Sequence, residues 1–68
     1  MNRLVVALRN NGITQADARR LLRGERIMVH TSMGDTEWYR MGDFMVHEYL
    51  VYGVDNVYLI STGELLPV

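Results

Sequence analysis

Arg19, Arg20, Arg23 and Arg26 lie close together in a chain whose seven basic residues are all arginine. A planar guanidinium carries a fixed fork of donors, so this grouping suits bidentate recognition of carboxylate or phosphate. On a helix, Arg19 and Arg23 stand one turn apart, Gln15 stands one turn before Arg19, and Arg20 flanks them. Through His30 the chain carries 6 − 2 = +4, with histidine neutral, and the remainder carries 1 − 6 = −5. Such a split can orient the molecule toward a charged partner although the net charge is only −1. The plainer reading is a solvated helix face, with Asp17 and Arg20 forming one weak internal pair.

The second half offers rings instead. Glu37, Trp38, Tyr39 and Arg40 alternate on a strand-like stretch, with Trp38 and Arg40 facing one way and Glu37 and Tyr39 the other, so one of the two aromatics should face the core and its neighbour the solvent. Tyr49, Tyr52 and Tyr58 add further amphipathic rings of a kind favoured at protein interfaces, though in a short chain most would furnish the core. Metal and catalytic chemistry is poorly supported. His47-Glu48-Tyr49-Leu50-Val51 starts like a zinc-protease pentad but has Val51 where the second histidine is needed. Asp43 and His47, a helical turn apart, could join His30 around a metal, yet two histidines without cysteine make a closed site unexpected. Ser32 and Ser61 have no evident base and orienting acid. No glycine-rich loop follows a strand at phosphate-binding spacing. The chain is therefore expected to be no enzyme and to need no metal or cofactor.

These residues must be positioned by a chain of 68 residues, read as one domain over 1–68. A chain of this size buries roughly 60% of its extended surface, and with no cysteine it has no disulfide to compensate. Packing or self-association must make up the difference. No run reaches the roughly 20 apolar residues that cross a bilayer. The apolar stretch Leu4–Leu8 is too short for a secretory leader, so a cytoplasmic location without membrane contact is expected.

Leu4, Val5 and Leu8 share a side at helical spacing, giving a helix over 3–10 stopped by Asn10-Asn11-Gly12. Thr14 is placed to cap a helix over 15–23, with Asp17 at its third position, Ile13 ready to close over Ala18, and Gly24 as the terminator. Residues 26–31 and 36–41 read as a hairpin around Ser32-Met33-Gly34-Asp35. Gly42-Asp43 then breaks the chain, and Asp43 is read as the cap of a helix over 44–51. The competing strand over 44–52 rests on the shared parity of Phe44, Val46, Leu50 and Tyr52. Gly53 and Asp55-Asn56 are read as a turn into a strand over 57–61. Thr62-Gly63 forms a second turn, and 65–68 is an apolar tail that Pro67 confines to an edge. The expected class is α+β, short helices on a small antiparallel sheet, in the order α-α-β-β-α-β.

The function that fits is a small binding module, an inhibitor or adaptor occupying a surface of a larger protein, possible also as a symmetric dimer. Arg19, Arg20, Arg23 and Arg26 would supply charged contacts, and Trp38 with Tyr39 the desolvated centre. One alternative is a DNA-binding regulator in which Gln15, Arg19 and Arg23 face the duplex, although the acidic second half opposes it. Another is a structural homo-oligomer joining basic and acidic halves of successive subunits.

Overall fold

A computed structural model describes residues 3–60. Two helices, α1 (Arg3–Asn10) and α2 (Gln15–Leu22), precede four strands, β1 (Ile27–Thr31), β2 (Gly34–Met41), β3 (Phe44–Tyr49) and β4 (Gly53–Leu59). The strands form one antiparallel sheet in the order β1-β2-β3-β4. The α+β class holds, with the order α-α-β-β-β-β.

The helical half follows the sequence closely. Helix α1 buries Leu4, Val5 and Leu8. The Thr14 hydroxyl accepts from the Asp17 amide at 3.1 Å, satisfying one of the donors that a helix start leaves orphaned. Ile13 and Ala18 are both buried, as the staple requires. Arg23 forms the C-cap, and Gly24 turns the chain out at φ +98°.

The helix expected over 44–51 is instead strand β3. Met41 pairs with Phe44, so Gly42-Asp43 is a two-residue hairpin connection, with Gly42 at φ +59° in the first central position, where a type II′ turn favours glycine. Asp43 is thus a turn residue and caps no helix. Of the residues whose shared parity suggested a strand, Phe44 and Val46 lie on one face of β3, and Leu50 and Tyr52 fall in the turn after it. The turn expected at Gly53 and Asp55-Asn56 lies within β4. Its irregularity survives as a bulge, because His47 pairs with Asn56 while Glu48 pairs with Val54, leaving Asp55 as the extra residue. The Thr62-Gly63 turn and the tail over 65–68 lie outside the described residues.

Alternation gives the sheet two faces. The inner one carries Ile27, Val29, Thr36, Trp38, Met45, His47 and Tyr58, against which the helices bring Leu4, Leu8, Ala18 and Leu21. Helix α2 lies against β2, and α1 against β4. Trp38 is the centre of this layer, wholly buried and stacked on His47 at 4.4 Å between centroids. Arg40 joins the two layers by donating to the carbonyls of Leu22 and Gly42, each at 2.8 Å. The cation thereby reaches a carbonyl at the end of α2, where the helix dipole is negative.

Candidate functional site

The arginines sit on or just after α2, largely engaged by their own chain. Arg20 bridges Asp17 at 3.3 Å and Glu25 at 3.1 Å, and Arg23 reaches the other oxygen of Glu25 at 3.1 Å. These two guanidinium groups hold the Glu25 carboxyl below its ordinary range, the hydrogen bond from Arg20 contributing most. Arg26 leaves the helical layer altogether. It pairs with Glu37 and lies over the Tyr39 ring, 4.3 Å from the centroid, on the opposite side of the sheet. Arg19 has no side-chain ion pair or hydrogen bond among the described residues and points outward. Gln15 is half-buried at the start of α2.

Trp38 and Tyr39 part company as alternation requires. Trp38 is 0% exposed, so its ring is part of the core and cannot offer a contact surface to a partner in this fold. Tyr39 is half-buried on the outer face. Desolvation raises its phenol above the ordinary range, and the charge and hydrogen bonding of Glu48 act in the same direction. The proposed grouping of arginines with Trp38 is therefore not brought together; Arg26 and Tyr39 are.

His47 and His30 occupy opposite faces. The bulge turns the Asp55 carboxylate to His47 Nδ1 at 3.2 Å, while His30 Nδ1 lies 2.6 Å from Asp35. Among the described residues no three metal-ligating side chains converge. His47 Nε2 and Trp38 Nε1 are buried without hydrogen-bond partners among the described residues.

The outer face carries what the sequence reading missed. Cross-strand pairing aligns Met41, Phe44 and Leu59 in one row and Tyr39, Val46 and Val57 in the next. Helices cover the inner face, whereas no element among the described residues covers this block. Met41 and Leu59 are each 61% exposed, and Phe44 and Val57 are each 47% exposed. Val46, at the middle of its row, is buried by its neighbours. The following row holds Met28, Glu37, Glu48 and Val54, with His30 and Asp35 beyond it. A contiguous apolar surface of this kind, bordered by charge, marks an interaction site more often than a scattered set of apolar side chains does.

No family model, curated protein or solved structure matches this chain. The site must therefore be judged on its own chemistry. Its apolar block spans three strands, suited to burying area, with Glu37 and Glu48 in the row at one end and the Asp43 turn at the other. The signal for it was available in the odd-even pattern of β2 through β4, once residues 44–49 were paired as a strand.

Proposed function

We propose that the chain is a small protein-binding module, an inhibitor or adaptor that occupies a surface of a larger protein, and that its open sheet face makes the contact. The exposure of Met41, Phe44, Val57 and Leu59 on one face that no described element covers carries this reading. Burying such side chains is favourable by roughly 25 cal/mol per Å², and association is the route open to a sheet whose other face is already packed. Arg26 and Tyr39 form the flank of that surface. Arg20 and Arg23 act mainly within the subunit, because a partner would have to displace Asp17 and Glu25 from them. No described helix is long and apolar enough to cross a membrane.

Affinity capture from the native host's lysate tests the assignment. Leu59→Ser and Phe44→Ser should each deplete a partner that the intact chain recovers, while Arg19→Glu combined with Arg23→Glu should leave its recovery within about twofold, because surface charges contribute little to stability or binding on their own. The reverse pattern would reject the open face.

A second reading, binding to duplex DNA, draws on the helical layer. From Arg3 to Glu25 the charge is 5 − 2 = +3, and Arg19 and Arg9 have no carboxylate partner among the described residues. Binding of this kind would weaken steeply as salt rises and would be lost in Arg9→Glu and Arg19→Glu.

A further inference from the structure

The open face has a definite shape and sign. Its two apolar rows span β2, β3 and β4, about 10 Å across at the usual strand spacing of about 4.8 Å. A helix laid along these rows, across the strands, would set its apolar stripe over the block and one of its sides beside the row of Glu37 and Glu48. The border of the block is acidic. Asp35, Glu37 and Glu48 stand against Arg26 alone, 1 − 3 = −2 with His30 neutral, and Arg26 is committed to Glu37.

A second copy of the chain fits poorly. Stacking two such faces about a two-fold axis along β3 would set Glu48 over its own equivalent. An axis across the strands through the apolar block would carry Glu37 and Glu48 toward the Asp43 turn of the other copy. Both arrangements bring carboxylates together, at a cost that grows as water is excluded. An anionic lipid surface would meet the same repulsion.

Building on the docking role proposed for this face, we infer that its occupant is an amphipathic helix of a partner protein, with an apolar stripe flanked on one side by lysine or arginine. The stripe covers Tyr39, Met41, Phe44, Val57 and Leu59. The basic flank lies along Glu48 and Asp35 and offsets their charge. This is the helix-in-groove mode of recognition adapted to a sheet face.

Two labelled 16-residue model peptides test this with the full chain. Both carry the same leucine stripe, one flanked by lysine and the other by glutamate, and binding is read by fluorescence anisotropy at low salt. The lysine peptide should bind at least tenfold more tightly. Leu59→Ser should abolish that binding, and Glu48→Gln combined with Asp35→Asn should narrow the preference several-fold, each variant keeping the parent circular dichroism. Equal binding of both peptides, lost in Leu59→Ser, would overturn the basic flank while leaving the docking face intact. A concentration-dependent doubling of mass abolished by Leu59→Ser, without peptide binding, would make a second copy the occupant and overturn the inference. Binding to neutral phosphatidylcholine vesicles through the same face, again without peptide binding, would overturn it in favour of lipid. Peptide binding unaffected by Leu59→Ser and Phe44→Ser would remove the docking face as well.

Discussion

Single side chains divide sharply between those spent on the fold and those left for contact. Trp38 belongs to the first group: its ring fills the space between sheet and helices and stacks on His47. Trp38→Ala should cost about 3–5 kcal/mol, most of the stability a domain this small can hold, and denaturant titration followed by circular dichroism should show it largely unfolded. Leu59→Ser removes an exposed side chain and should move the same midpoint little. Glu25 supplies a pH signature. Arg20 and Arg23 depress its carboxyl in the folded state, so its stabilising contribution is present above the unfolded pKa and fades as pH falls through the lower folded value. Glu25→Gln should therefore flatten the acid limb of a stability-pH profile; an unchanged limb would show that these exposed pairs contribute nothing measurable. Tyr39 behaves oppositely. Its folded phenol is raised, first by desolvation and then by Glu48. Its contribution is present below the unfolded value and lost as pH rises through the folded one, and absorbance near the phenolate band should place its titration above that of a free tyrosine.

At the level of elements, the helices were legible because their signals are local. A cap, a staple and a glycine stop act within a few residues, and Thr14, Ile13 and Gly24 all take the places their types suggest. Thr14→Ala should cost about 1 kcal/mol, read as a shift in the denaturation midpoint. Strand β3 was harder because Asp43 followed by apolar residues satisfies helix capping and hairpin geometry equally well. The tie is broken by pairing on both sides, a non-local effect that outweighs propensity. Gly42 is the test of that turn. A Cβ there would meet nothing within 4 Å, so the cost of Gly42→Ala is that of holding φ +59° with a side chain, roughly 1–2 kcal/mol. A neutral substitution would argue against the turn geometry. The arginine stripe was legible as composition, yet its pairing was not: Glu25 and Glu37 reach back to it from beyond the helix. The apolar block was hidden for a related reason, since its residues come from three strands whose register only the fold supplies.

The whole molecule is a two-layer structure with one finished side. Helices bury the inner face of the sheet, and the outer face keeps a contiguous set of exposed apolar side chains beside an acidic border. Charge is layered as well, positive over the helices and negative across the strands, so partners of opposite sign should approach from opposite sides. The side that makes the productive contact can be read directly. A photoreactive amino acid placed at Leu59, and separately at Arg19, can be activated in cells of the native host and the products sized by mass spectrometry. A discrete adduct with another protein from Leu59, and none from Arg19, is the expected result. Adducts from Arg19 alone, whether to protein or to nucleic acid, would contradict the assignment of the open sheet face.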